Sequence, residues 1–302
     1  MRVGFFIPTV YRDYNRVQSA LWIRALQMMD PLKKLDCEVS LNNPFKTYDI
    51  AIYHRGMQKN SFFFMKYLKK ISKRVYWDTC VDYFSQHEAA SIEQVLYSRK
   101  IASIVDGVCV PTIGIAENAK KYSRNVFVMP DPINCDHFYE VKKNINFDNP
   151  TFGWSGVACK AIFLEPYAKF LNNRTNIISE SPPNLSLQYT FEKWSYMAFP
   201  KALLQTDVAF LPRALGSTYT LNNSSFKALV FASLGIPIIA NRLPSYELLS
   251  EKFPAISFLE DYGDDPYLAL ESLKNKSPDP KNIREEYSHK NQAKNLLDWI
   301  AR

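Results

Sequence analysis

Residues 206–241 read TDVAFLPRALGSTYTLNNSSFKALVFASLGIPIIAN, and the order of patterns within them decides the fold. Val208–Leu211 is a short unbroken apolar run of the kind buried in a parallel sheet, and Pro212 follows it. Arg213–Asn223 is a polar loop, a helix opens at Asn223-Ser224-Ser225, and Gly235 leads into a second apolar run, Ile236–Ala240. Strand, loop, helix and strand in succession deliver a helix N-terminus to the carboxyl edge of a parallel sheet, where open α/β folds bind anions. Lys227 falls in the first turn of that helix. A fixed positive charge beside free backbone N–H groups serves a nucleotide diphosphate; a hydrophobic core has no use for it.

Upstream, Arg2–Ile7 is a first strand ended by Pro8, and after the loop Thr9–Asn15 the residues Val17, Leu21, Ile23, Leu26 and Met28 form a helical apolar stripe. No G-x-G-x-x-G follows the strand, which argues against a dinucleotide-binding dehydrogenase. Arg12 and Arg16 read either as groups aimed into a cleft or as solvated loop charges. Cys37–Leu41 and Asp49–Tyr53 are two further strands, the second running into His54-Arg55-Gly56. In Ser61–Ser72, Lys66, Lys69, Lys70 and Lys73 recur at helical spacing beside Phe62, Phe63, Phe64 and Tyr67. Such a helix either lies on an anionic membrane or presents its lysines to solvent. Arg74–Trp77 is a strand that delivers Asp78, with Asp82 four residues on. The alternation continues through the helix Ser91–Ile104, the strand Gly107–Val110, the helix Ile115–Tyr122 and the strand Val126–Met129 to the joint Pro130-Asp131-Pro132. A second domain opens with a strand at Thr151–Trp154 and Lys160 near a helix start, followed by strands at Asn176–Ser179 and Leu187–Thr190.

Lys227 to Ile239, K-x₇-G-x-P-I-I, together with T-D-V-A-F-L-P, resembles the donor-binding half of GT-B glycosyltransferases, especially the retaining sugar-nucleotide enzymes. The block YDIAIYHRG, a basic helix and VYWDTCVDYF is similar to a subgroup of the same enzymes, in which an arginine ends one strand and an acidic cluster the next; Arg55 and Asp78 match. Pro130-Asp131-Pro132-Ile133-Asn134, with His137-Phe138, looks like the family's interdomain joint. The resemblance implies an α/β chain of two Rossmann-like domains facing each other across a cleft. Residues 1–133 would be the acceptor side and 134–302 the nucleotide-sugar side, with the last helix crossing back to the first domain. The glutamates of the family's E-x₇-E pattern fall at Asn222 and Val230, so both are replaced.

Composition bounds this reading. A chain of 302 residues with 47% hydrophobic and 22% charged side chains suits a globular α/β protein of two domains. No run reaches about 18 apolar residues, and the N-terminal apolar run is short for a signal h-region. A cytoplasmic protein is expected, with possible peripheral contact at an anionic membrane. Five cysteines, odd in number and without C-x-x-C spacing, suggest neither a disulfide framework nor a zinc site. The net charge of +7 lies wholly in residues 1–133, with 19 Lys+Arg against 12 Asp+Glu. A basic first half suits an anionic acceptor or membrane surface.

Transfer from a sugar nucleotide builds negative charge on the departing diphosphate, and donors aimed at that charge are the main catalytic resource. Lys227, Ser224 and Ser225 are the first candidates for it, with Arg213 and Lys160 as helpers. The resemblance places the nucleoside near Asn222 and Asn223. Asp78 and His54, at strand ends, have the chemistry of a general base, and Arg55 stands beside them. D-x-x-x-D alone does not make a divalent-ion site, so no metal and no cofactor beyond the sugar nucleotide is expected. The expected partners are that donor and a glycan or lipid-linked acceptor, as in cell-surface polysaccharide synthesis; no nucleic acid is expected. A non-catalytic module of the same fold, acting as a partner subunit, and a sugar-nucleotide epimerase are the other readings.

Overall fold

The computed structural model describes residues 1–7, 19–88, 90–171 and 173–302. Pro8, the loop Thr9–Asn15, Arg12, Arg16 and Val17 lie outside the described residues. The chain divides into two units: Met1–Asn134 with Ser217–Ser224 and Tyr287–Arg302, and Cys135–Gly216 with Ser225–Glu286.

The first unit is built on β1 (Arg2–Phe6), β2 (Glu38–Leu41), β3 (Tyr48–His54), β4 (Ser72–Asp78), β5 (Gly107–Val110) and β6 (Val126–Val128). They pair in parallel in the order β2-β1-β3-β4-β5-β6. Parallel strands need crossovers, and their faces must be covered. The helix Lys59–Ile71 links β3 to β4 and turns Met65 and Leu68 inward. The helix Ile92–Ile104 links β4 to β5 and starts in a capping box, in which Ser91 and Gln94 satisfy each other's backbone N–H. Trp77, Phe84, Val75 and Ile101 fill the core between them. A π-helical turn, Trp22–Leu26, runs into the helix Gln27–Lys34. The last helix, His289–Ile300, packs in this unit, with Trp299 stacked on Phe127 at 4.9 Å between ring centroids.

The second unit carries β7 (Phe152–Ser155), β8 (Thr175–Ser179), β9 (Thr190–Lys193), β10 (Val208–Leu211), β11 (Ile238–Ala240) and β12 (Ile256–Phe258). All pair in parallel, in the order β12-β11-β10-β7-β8-β9. β9 falls three residues beyond the expected Leu187–Thr190. Leu187, the first residue of the expected span, is buried from the preceding loop instead. The helix Phe226–Ser233 ends in a Schellman motif: Gly235 N–H donates to the Ala232 carbonyl at 3.0 Å and Ile236 N–H to that of Phe231 at 3.1 Å. Two short helices, Thr218–Leu221 and Lys281–Glu286, were not foreseen because neither carries an apolar stripe.

Gly235 has φ +72°, and a Cβ there would meet the Pro278 carbonyl oxygen at 3.1 Å. Gly235→Ala is expected to lower unfolding stability by about 1–2 kcal/mol, from left-handed strain and crowding together. Urea denaturation followed by tryptophan fluorescence measures it, and Gly235→Asn, which tolerates this backbone region better, should lose less.

Candidate anion-binding site

In the second unit the strand order reverses between β7 and β10, and open α/β sheets bind ligands beyond the carboxyl ends of strands at such a reversal. Gly156 follows β7, and Arg213 follows β10 after Pro212. Lys160 lies in the first turn of the 3₁₀ helix Ala158–Tyr167, and Lys227 in the first turn of Phe226–Ser233. The loop after β10 is held by Asn241, whose Oδ1 accepts the Arg213 N–H at 2.7 Å while its Nδ2 donates to Glu260 at 2.9 Å.

The Lys227 ammonium stands 4.3 Å over the Trp154 ring, and the residue is half-buried. A Cβ at 156 would meet Lys227 Nζ, so a side chain there would displace the ammonium from its place over Trp154. Burial, together with Arg213 and Lys160, pushes the ammonium well below the usual lysine value. No carboxylate pairs with Lys227 among the described residues. A lysine also has the wrong sign for a helix N-terminus, where its charge opposes the dipole by about 0.3–1 kcal/mol. Ser225, at the N-cap of this helix, makes no side-chain capping bond. Three cations gathered at one sheet edge against burial, mutual repulsion and a helix dipole form a site shaped for an anion.

Asn222, Asn223 and Ser224 belong to the first unit. Asn222 Nδ2 donates to Asp82 Oδ2 at 3.0 Å, and its carbonyl accepts the Thr112 hydroxyl at 3.1 Å. Ser224 Oγ donates to Asp131 Oδ2 at 2.5 Å, and Ser217 Oγ to Glu88 Oε1 at 2.5 Å. Asn223 N–H bonds the Thr220 carbonyl at 3.1 Å. Thus the segment Ser217–Ser224 is fastened within the first unit to three of its carboxylates. Val230, at the position of the family's second glutamate, is 2% exposed in the core of the second unit.

The two groups expected to act as bases have another arrangement. Asp78 and His54 are 2% and 0% exposed. The Arg24 guanidinium, wholly buried, bonds Asp78 through Nη2 at 2.7 Å and through Nε at 3.1 Å, and reaches Asp131 with Nη1 at 2.7 Å. His54 Nδ1 bonds the other Asp78 oxygen. Burial by itself raises the Asp78 carboxyl, but Arg24 and His54 outweigh it and hold the group well below the ordinary carboxylate range. Burial, helped by the positive charges of Arg24 and Arg55, holds His54 below the usual imidazole value although Asp78 raises it. A carboxylate locked in this way has little basicity, and neither side chain is open to solvent, so both serve the core. Arg24 was missed; its signal was a lone arginine in an apolar helical stripe. Arg55 differs from its neighbours: it ends β3 in the left-handed conformation, φ +62°, beside the β1–β3 reversal. Its N–H donates to the Asp78 carbonyl at 2.8 Å and its own carbonyl accepts Trp77 Nε1 at 2.6 Å. The half-buried guanidinium lies among Cys80 and the phenols of Tyr83 and Tyr219. Non-glycine residues held there cost about 1–3 kcal/mol and concentrate at functional sites.

Among the described residues no group of three or more His, Cys, Asp or Glu side chains could hold a metal, and no helix is long and apolar enough to cross a membrane. Arg24→Met, which removes the cation that two buried carboxylates share, is expected to destabilise the chain by about 3–5 kcal/mol in chemical denaturation. The Asp78 contribution is fully present above the unfolded carboxylate pKa of about 3.9 and is lost as pH falls through its lower folded value. The neutral His54 adds a second dependence: stability declines as pH falls below the unfolded imidazole value of about 6.5. Thermal melts between neutral and mildly acid pH should show the decline in wild type and a flatter profile in His54→Asn, which keeps a donor for Asp78.

No family model matches the chain, and no curated protein matches it in sequence. Solved structures do match. AviGT4, a glycosyltransferase involved in avilamycin A biosynthesis, aligns with TM-score 0.63 at 10% identity over 100% of this chain and 97% of its own. TarM from S. aureus, in a complex that contains UDP, aligns with TM-score 0.57 at 11% identity over 91% of this chain; the chain spans 58% of TarM. The Methanocaldococcus jannaschii UDP-GlcNAc 2-epimerase aligns with TM-score 0.52 at 11% identity over 100% of this chain and 99% of its own. The chain has the fold of GT-B glycosyltransferases.

Proposed function

We propose that this chain is a glycosyltransferase that moves a sugar from a nucleotide-diphosphate sugar to a glycan or lipid-linked acceptor, as in the synthesis of a cell-surface polysaccharide. The observation that carries the reading is Lys227, half-buried over Trp154 beside Arg213 and Lys160, with no carboxylate partner among the described residues. As the anomeric C–O bond breaks, electrons pass to the diphosphate oxygen, and the cations together with the N-terminal amides of the Phe226–Ser233 helix receive that charge. Low dielectric around Lys227 strengthens the attraction, and the incoming anion restores the ammonium's proton affinity.

The acceptor belongs with the first unit, where Arg55 offers a fixed cation at the strand-order reversal. With Asp78 committed to Arg24 and His54 to Asp78, the acceptor proton goes to the departing diphosphate, the route the retaining resemblance implies. Retention of anomeric configuration is part of this reading and rests on that resemblance. A second reading, a partner subunit that binds nucleotide without turnover, is favoured by one feature: Asn222 and Val230 stand where the family's glutamates would, one tied to Asp82 and one in the core. The epimerase reading is less well supported, because it needs carboxylates and a histidine converging on the sugar, and His54 and Asp78 are buried.

Calorimetric titration with nucleoside diphosphates tests the binding step. One diphosphate should bind to wild type, and Lys227→Ala should abolish that binding. With the matching nucleotide sugar and acceptor, Lys227→Ala should lower turnover about 10²–10³-fold. Absence of binding by every diphosphate overturns the proposal, and binding without transfer to any acceptor supports the partner-subunit reading.

A further inference from the structure

The first unit carries a surface that the donor chemistry does not use. Phe45, on the loop between β2 and β3, is 94% exposed. The loop is fixed to the helix Lys59–Ile71 by the Tyr67 hydroxyl, which donates to the Pro44 carbonyl at 2.7 Å. On that helix Phe63 and Tyr67, one turn apart, are both exposed, and Lys66 lies against the Phe62 ring at 4.7 Å and the Phe63 ring at 6.0 Å. Aromatic side chains and ammonium groups therefore share one face.

Charge decides what that face meets. Neither the helix nor the loop 42–47 contains an acidic residue. Lys46, Lys69 and Lys73 are paired with Glu38, Asp106 and Asp49. Lys59, Lys66 and Lys70 are exposed and have no carboxylate partner among the described residues. Rings flanked by unpaired lysines match an anionic lipid bilayer, whose headgroups take the ammonium groups while the interface takes the rings. We infer that this face docks on an anionic membrane, with Phe45 entering the headgroup layer and Lys59, Lys66 and Lys70 supplying the attraction. The inference does not depend on the donor site, so vesicle binding and nucleotide binding can fail separately.

The test is sedimentation of the full chain with phosphatidylcholine vesicles, with and without phosphatidylglycerol. Wild type should bind only the anionic vesicles and should release in high salt. Lys66→Ser/Lys70→Ser should weaken binding about 30-fold, from the attraction contributed by two basic residues. Phe45→Ser should also weaken binding, while both variants keep the wild-type melting temperature and affinity for nucleoside diphosphate. Equal binding to neutral vesicles, no binding to either, or indifference to these substitutions overturns the inference. So does a self-association in solution that Phe45→Ser abolishes, because the face would then meet a second copy of the chain.

Discussion

Parallel pairing is the constraint from which the rest follows. In each sheet every strand ends at the same edge, so residues far apart in sequence are gathered wherever the strand order reverses. Gly156, Arg213 and the first turn of Phe226–Ser233 are gathered in this way in the second unit, and Arg55 occupies the corresponding edge in the first. Neither location was chosen by its immediate neighbours in sequence. Chain connectivity placed them, and the side chains then determined what the edges attract.

The two edges manage charge in opposite ways. In the first unit Arg24 is cancelled by Asp78 and Asp131, with His54 completing the cluster. A buried charge must be paired, and the pairing leaves these carboxylates as scaffold. In the second unit Lys227 receives Trp154 for packing and two further cations as neighbours. Among the described residues it has no carboxylate partner. The contrast separates paired from unpaired ionisable groups here more sharply than residue type does, since Asp78 and His54 have the chemistry of catalysts and Lys227 that of an ordinary surface residue.

The segment Ser217–Ser224 links these themes. It immediately precedes the helix that carries Lys227, yet its side chains bond Glu88, Asp82 and Asp131 of the first unit. Asp131 in turn is held by Arg24. Ser224 and Asp131 thus connect this segment, within the first unit, to the buried guanidinium.

Much of the architecture was legible in sequence because local patterns are reliable where apolar runs are short and punctuated. Val208–Leu211 and Gly107–Val110 stand where their patterns put them. Gly235 marked the end of its helix because only a residue at ease at positive φ closes a Schellman motif. Lys227, Arg213 and Lys160 could be singled out as cations beside strand ends or helix starts, which are local features. Tertiary structure alone decided which ionisable groups are cancelled. Arg24 meets Asp78 across 54 residues and Asp131 across 107. Pairing over such distances depends on where the π-helical turn Trp22–Leu26 lands on the sheet, and no short-range pattern encodes that.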